Sequence, residues 1–471
     1  MTSVEMPGSA TRTPRTPRTG GARGAEASRG ALPWLHRPLM SQWLLVGVTI
    51  ALLAIGTMMV LSTQSVTAAA RLNSSLVSAF SLQLALTVGG LCVFAVAASL
   101  PIRVYRMLAV VALVGAVLAL LAVPFVGTVV RGSRRWIGLP MGQQFQPSEL
   151  VKFGLALWGA DLLARKERYR LLLHTRHVFI PLVPVTVMIV ALVMLEPDMG
   201  TSLTIMVIAL ALLWVAGLPG RWFGAMMVAV TFLVTVLAVL SPYRLERLVS
   251  FMDPFKQSGD TGYQAVQGLY ALASGGLFGV GLGSSREKWS WLPNADTDYI
   301  FAIIGEELGL IGTLLTVLLF GILAYAGLRV ASRSTDPFAR YAATGITAWI
   351  IGQAVLNMGY VSGVLPVTGV PLPLISSGGT SLLTVMAALG FLVALARHEP
   401  EAAELIAARP PGWWRRLLSP APGPRPVAPR TRLAPPRGSV VGAGRGLSSR
   451  RTRSARATGR RSRVSTRRGR P

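Results

Sequence analysis

Four carboxylates stand together in the stretch Leu292–Gly309, reading LPNADTDYIFAIIGEELG: Asp296, Asp298, Glu306 and Glu307. There a polar loop enters an apolar run that continues to Val330. An ionised group at the centre of a bilayer costs roughly 2.5–3.5 kcal/mol on insertion scales, so acids at the mouth of a spanning helix point to work on protons, cations or a polar substrate. Asp298 falls at or just before the helix start, where backbone N–H groups favour a carboxylate. A base that works at neutral pH must be ionised and within hydrogen-bond reach of the proton it takes. Glu306 and Glu307 lie about 12 Å further along at ~1.5 Å per residue. They are expected to partner buried cations such as Lys152.

Three further polar clusters accompany this stretch. The first, RGSRRWIGLPMGQQFQPSELVK, carries Arg131, Arg134 and Arg135. The planar fork of arginine pairs two phosphate oxygens at once, which suits a diphosphate as well as lipid head groups. Pro147 suits a first helical turn, and Glu149 suits the positive end of that helix. Glu149 and Lys152 are three apart and share a face, where they can pair; a deep lysine facing a cavity would also draw an anion. The second cluster, EPDMGTS, interrupts two apolar runs and sets Glu196 and Asp198 near membrane depth, with Asp198 a candidate for substrate contact. The third, PVTGVPLPLISSGGTS, is kept non-helical by proline and glycine. Its N–H groups and hydroxyls, Ser377 among them, can hold an oxyanion or sugar hydroxyls. Close packing of small residues is the alternative.

The elements that must position these groups are membrane helices. The chain of 471 residues is 52% hydrophobic and only 14% charged, against about 25% charged in soluble domains. Apolar runs near 41–63, 77–99, 106–127, 147–164, 178–195, 200–217, 222–241, 299–328, 342–363 and 379–396 predict an all-α integral membrane protein of about ten transmembrane helices. The run at 299–328 is long enough to contain a turn or a tilt. Lys and Arg crowd the short loops on one side, which places both termini in the cytoplasm and the large loop 242–298, between spans 7 and 8, outside. All the polar clusters then lie on the outer face, away from ATP.

Most of the net charge of +27 sits in two tails, residues 1–40 and 399–471, rich in Arg, Pro, Gly and Ser. Such composition predicts disorder against anionic lipid or a cytoplasmic partner, and no motif for specific nucleic-acid binding accompanies it. One cysteine and four scattered histidines exclude a disulfide framework and argue against a zinc enzyme. GVGLGSS, Gly279–Ser285, lacks the GK[ST] of a nucleotide phosphate loop and predicts closely packed or flexible backbone.

Taken in order, GSRRWI, QPSELVK, EPDMGTS, ASGGLFGVGLG, LPNADTDYIFAIIGEELG and PVTGVPLPLISSGGTS resemble the SEDS family (shape, elongation, division and sporulation) over about 41–398. The end of the last motif, ARHEPEA and the long basic tails are most similar to its division branch, of actinobacterial type. The resemblance implies a ten-span SEDS-type fold and a peptidoglycan glycosyltransferase at the division septum. That enzyme would polymerise lipid II into β-1,4-linked strands and release undecaprenyl diphosphate. It implies Asp298, in TDYIF, as the catalytic carboxylate, with Arg135 of the RW pair and Lys152 of QPSELVK binding substrate; Arg134, Glu149, Asp198 and Ser377 are expected beside them. A histidine often stands where this chain has Asp296, so a second acid is added here that could hold a divalent cation, Mg or Mn; no other cofactor is implied. The implied partners are a class B penicillin-binding protein, acting as septal transpeptidase, and other divisome proteins, with FtsZ a candidate for the cytoplasmic tail. A lipid II flippase and a divisome scaffold are the rival readings. Few charges lie below the outer third, and Asp161 with Arg165 reads as a local i,i+4 pair, which favours the enzyme.

Overall fold

The computed structural model describes residues 39–70, 76–130, 133–138, 144–239, 251–253, 255–256, 262–289 and 292–408. Nearly all of the expected N-terminal tail, the Arg-rich C-terminal stretch and parts of the loop 242–298 lie outside these residues. Each of the ten apolar runs coincides with helix: α1 (Met40–Ala70), α2 (Leu76–Ser99), α3 (Ile102–Val126), α4 (Pro147–Arg168), α5 (Thr175–Phe179) with α6 (Leu182–Leu195), α7 (Met199–Val215) and α8 (Gly220–Val239). After α9 (Tyr263–Ser274) in the large loop come α10 (Ile300–Arg333), α11 (Pro337–Val361), α12 (Gly379–Ala396) and the short α13 (Pro400–Ala408). Among the described residues, α1, α2, α3, the α5–α6 stretch, α10 and α12 are long and apolar enough to cross a membrane, and α7 is a shorter apolar helix. The protein is a helical membrane protein.

Burial sorts the helices into core and lipid-facing sets. The apolar window of α12 is 72% buried and that of α2 only 22%, so α12 is an interior helix and α2 shows most of its surface to lipid. α12 packs on α2, α4 on α3, and α11 on α4, α7 and α10. Without a hydrophobic driving force between helices in lipid, close contact depends on small residues. A Cβ on Gly390 of α12 would fall 2.4 Å from the Phe94 carbonyl oxygen of α2, so only glycine lets the two backbones approach this closely. Helix α4 holds Glu149, Lys152 and Asp161 buried within the bundle. Its termini fit its dipole, with Pro147 and Glu149 in the first turn and Arg165, Lys166 and Arg168 in the last.

Three features add detail to the expected spans and tails. The α3–α4 connection is a small antiparallel ribbon, β1 (Thr128–Val130), β2 (Ser133–Gly138) and β3 (Gln144–Phe145), with Val129 opposite Arg134 and Ile137 opposite Phe145. Strand pairing satisfies the backbone groups of this connection. The C-terminal tail expected from residue 399 begins as helix α13, with Glu401 in its first turn pairing Arg333 at 3.1 Å. Pro400 starts this helix, the position where proline's missing N–H and fixed φ do no harm.

The third is a break within α10 at Gly309, whose φ of 68° and ψ of −162° are not helical, a turn of the kind that the length of this run allows. The glycine-rich loop supplies the hydrogen bonds the break forfeits. The N–H groups of Val280 and Gly281 donate to the carbonyls of Glu306 and Glu307, at 2.9 and 3.2 Å. Those of Leu310 and Ile311 donate to the carbonyls of Gly276 and Leu277, at 2.9 and 3.3 Å. A Cβ on Gly279 would sit 2.1 Å from the Glu307 carbonyl oxygen, so the loop is closely packed backbone, as its composition predicts. Irregular backbone at this depth is tolerated because it is enclosed by protein.

Candidate active site

Asp298 immediately precedes Tyr299, the N-cap of α10, and is half-buried. Its N–H donates to the Asn294 carbonyl at 3.0 Å, which folds the LPNADTD segment into turns and leaves the helix to begin at Ile300. This segment lies against Pro366–Gly378. The Ser377 N–H and hydroxyl both donate to Asp296, to its carbonyl and its carboxylate, each at 2.9 Å. Ser376 donates to the Thr297 carbonyl at 2.6 Å. Gly369, at φ 71°, presents no side chain to Asp298; a Cβ there would stand 3.6 Å from its Oδ2. The acid-bearing turn and the Ser/Gly-rich segment therefore form one surface.

The EPDMGTS break joins the same surface from the other side. A Cβ on Gly200 would be 2.5 Å from Val370 and 2.7 Å from the Thr368 carbonyl oxygen, so the break is pressed against residues 368–370. Asp198 caps α7: Oδ1 accepts the Thr201 N–H at 3.0 Å and Oδ2 the Thr201 hydroxyl at 2.9 Å. Gln146, the residue before α4, donates to Asp198 at 3.4 Å, and the Thr380 hydroxyl donates to the Gln144 carbonyl at 3.0 Å. Glu196 is buried and neither of its carboxylate oxygens has a hydrogen-bond partner among the described residues. It stands just past the apolar span Thr175–Leu195. Burial, then the neighbouring Asp198 charge, pushes its carboxyl up to about 8 against the opposing pull of Arg135.

Arg135 reaches this break from β2. Its Nε and Nη2 donate to the carbonyls of Glu196 and Pro197 at 2.8 and 2.7 Å, closing the C-terminus of α6. Among the described residues no hydrogen bond uses Nη1, so one edge of the guanidinium remains for an anion. Arg134 is more exposed and donates to the Pro124 carbonyl of α3 at 2.7 Å. Arg131 lies outside the described residues.

Lys152 and Glu149 pair as their spacing predicts, at 2.8 Å, but the ammonium is sealed from solvent. It also donates to Gln353 Oε1 at 2.8 Å and lies 5.4 Å from the Trp349 ring centroid. Gln353 in turn donates to the Pro371 carbonyl at 2.9 Å. Lys152 thus ties α4 to α11 and to the Pro366–Ser381 segment behind the outer surface, with no face of its own turned to an anion. The expectation that Lys152 neutralises Glu306 or Glu307 is corrected by the structure. Glu307 pairs with Lys288 of the large loop at 2.8 Å and accepts the Ser62 hydroxyl of α1, whereas Glu306 accepts the Ser285 hydroxyl and, at 2.7 Å, the Arg286 N–H. Lys152 faces α11, while these acids face α1 and the loop. Asp161 and Arg165 form the expected local pair.

Two residues of this region carried no signal in the sequence. Asn357 and Tyr360, on α11, donate to the carbonyl of Asp298 at 2.8 and 2.7 Å. Their spacing on an apolar helix resembles ordinary core. No group of three or more His, Cys, Asp or Glu side chains able to hold a metal occurs among the described residues, and the Asp296 carboxylate is engaged by Ser377.

Comparison with known proteins gives this geometry its context. The family described as cell cycle protein, grouping FtsW, RodA and SpoVE, matches residues 42–401. A Mycobacterium tuberculosis protein called probable peptidoglycan glycosyltransferase FtsW is 43% identical over 398 residues, covering 84% of this chain and 75% of the relative. Stage V sporulation protein E of Bacillus subtilis is 34% identical over 361 residues, covering 75% and 96%. Among solved structures, a chain of a peptidoglycan synthase complex that coordinates polymerization and crosslinking superposes with a TM-score of 0.60 at 28% identity, over 76% of this chain and 98% of that one. The rod shape determining protein RodA of Thermus thermophilus gives 0.54 at 26% identity, over 78% and 99%. With its whole helical body matched and its motifs meeting on one surface, this chain belongs to the FtsW/RodA/SpoVE (SEDS) family of cell cycle proteins.

Proposed function

We propose that this protein is a division-type peptidoglycan glycosyltransferase that polymerises lipid II on the outer face of the bacterial cell membrane. The observation that carries the proposal is that the segments bearing Asp298, Arg135 and the hydroxyl-rich run Ser376–Ser381 are packed on one another through Gly200 and residues 368–370, in a family whose relatives carry the name peptidoglycan glycosyltransferase. Such a reaction needs a base, a cation for a diphosphate and polar groups for sugars, at a groove that lipid can reach.

In this reading the growing strand is the donor. Asp298 takes the proton from the 4-hydroxyl of N-acetylglucosamine on incoming lipid II. The resulting oxygen nucleophile attacks the anomeric carbon of the donor's N-acetylmuramic acid with inversion. A β-1,4 bond forms, the bond to phosphate breaks, and undecaprenyl diphosphate leaves with the electron pair. The Nη1 edge of Arg135 meets the departing diphosphate, since a charge-assisted arginine contact is strongest on an anion that gains charge in the transition state; Arg134, directed to the end of α3, adds positive charge on the same ribbon. Lys152, Glu149 and Asp198 hold the walls, through Gln353 and the α7 cap, and Ser377 holds Asp296 beside the base. A general base of this kind contributes about 10²–10⁴-fold, or roughly 3–5 kcal/mol.

The relative whose structure is a peptidoglycan synthase complex supports a class B penicillin-binding protein as partner, and the FtsW relatives support placement at the septum. The crowding of Lys and Arg in the loops of one side supports cytoplasmic termini. The test is to reconstitute the purified chain in vesicles, alone and with its penicillin-binding protein, and to score lipid II translocation and glycan formation separately. Strand formation without obligatory translocation supports the enzyme. Translocation with no strand under any partner condition would make the protein a flippase.

A further inference from the structure

The mechanism above leaves two buried polar side chains of α11 unexplained. Asn357 and Tyr360 are sealed from solvent, although a membrane helix gains nothing from polar groups without partners. Their partners are two backbone carbonyls from the non-helical segments that form the outer surface. The Asn357 Nδ2 lies 2.8 Å from the Asp298 oxygen and 2.7 Å from that of Val370, and the Tyr360 hydroxyl lies 2.7 and 2.9 Å from the same two oxygens. Nδ2 is also 2.8 Å from the Tyr360 hydroxyl. A carboxamide has two N–H donors and a phenol one, and these three donors are shared among the two carbonyls and the phenol oxygen, so both carbonyls are held by the same pair of side chains.

From this arrangement we infer that Asn357 and Tyr360 are positioning residues, a clamp that fixes the backbone of Asp298 against that of Val370 and so sets where the base stands. One nitrogen held between both carbonyls confines them to neighbouring positions. Gly369, between Thr368 and Val370, is the residue whose missing side chain leaves the space beside Asp298 Oδ2. The same helix continues the task one turn earlier, where Gln353 donates to the carbonyl of Pro371. On the other side, the Tyr299 ring stands edge-on to Tyr360 at 5.7 Å and 71°, so the residue after the base is packed on the clamp as well. The clamp touches backbone carbonyls and not the Asp298 carboxylate. Its loss therefore acts on the chemical step and leaves substrate binding in place.

This inference rests on Asp298 being the base, and the experiment separates the two claims. Polymerisation of lipid II is measured with the full chain and its penicillin-binding protein, resolving kcat and KM, for Tyr360→Phe, Asn357→Leu and Asp298→Asn, with thermal melting of each. Tyr360→Phe keeps the ring contact with Tyr299 and removes one donor; its kcat falls about tenfold with KM within twofold. Asn357→Leu removes both amide donors and lowers kcat about 100-fold, the scale of a misplaced reacting group. Should Asn357→Leu fail to fold, Tyr360→Phe alone decides. Folded Tyr360→Phe at full kcat, or a loss seen wholly in KM, overturns the clamp while an inactive Asp298→Asn leaves the base in place. An Asp298→Asn enzyme at full rate overturns both.

Discussion

The ion pair between Lys288 and Glu307 should be the most consequential contact in the outer loop, and replacing Lys288 by methionine measures it. Both side chains are almost wholly withdrawn from solvent, 1% and 0% exposed, and their charged atoms are 2.8 Å apart. The lysine also donates to the Ser62 hydroxyl at 3.0 Å, and that hydroxyl donates to Glu307 at 2.8 Å, so α1, the loop and α10 meet at one point. Methionine preserves the volume and removes the charge, stranding a buried carboxylate; removal of one partner of a buried pair costs about 3–5 kcal/mol. With an unfolding entropy of ~2.1 cal/mol/K per residue over roughly 360 residues, that loss lowers Tm by about 4–7 °C. The assay is thermal melting of purified protein in detergent for Lys288→Met and for the double variant Lys288→Met/Glu307→Gln. Removing the stranded charge should recover at least half of the loss. A single variant that melts with the wild type, or a double variant no better than the single, would refute the reasoning that this pair holds the loop on α10.

Other expectations concern packing, protonation and the tail. A Cβ at Gly268 of α9 would fall 2.8 Å from the Tyr299 ring, so Gly268→Ala should displace the residue next to the base and lower the polymerisation rate about tenfold, with melting changed by only a few degrees. Because the Glu196 carboxyl is pushed up to about 8, the folded protein holds a proton there that the unfolded chain releases near 4.5. Stability is therefore lost as pH rises between those values, and Glu196→Gln should flatten the dependence of Tm on pH over that window. Deleting residues 409–471, which begins after α13, should leave polymerisation intact in vitro and impair septal placement of a fluorescent fusion in cells.

Much of the body is legible because its signals are local. Apolar length predicts the spans, and a carboxylate at a loop-to-helix junction marks Asp298 before any fold is known. Pro147 and Glu149 announce α4, whereas Asp198, read in the sequence as a candidate for substrate contact, caps α7. What the sequence withholds depends on register between distant segments. Glu307 chooses Lys288 over Lys152 only because the glycine loop folds back onto the break at Gly309. Arg135 spends two donors on the carbonyls of Glu196 and Pro197, a pairing that the run RRW does not encode. The ribbon at 128–145 has strands of two to six residues, too short for alternation to show. Asn357 and Tyr360 are two polar positions on an apolar helix, and only the carbonyls facing them reveal a task.

The account stands on proton removal by one carboxylate, and the most direct measurement is the rate of glycan formation from purified lipid II by Asp298→Asn beside wild type, each with its penicillin-binding protein and each shown folded by melting. A loss of about 10²–10⁴-fold with lipid II still bound is the predicted result. Long glycan formed by Asp298→Asn at near the wild-type rate would contradict it.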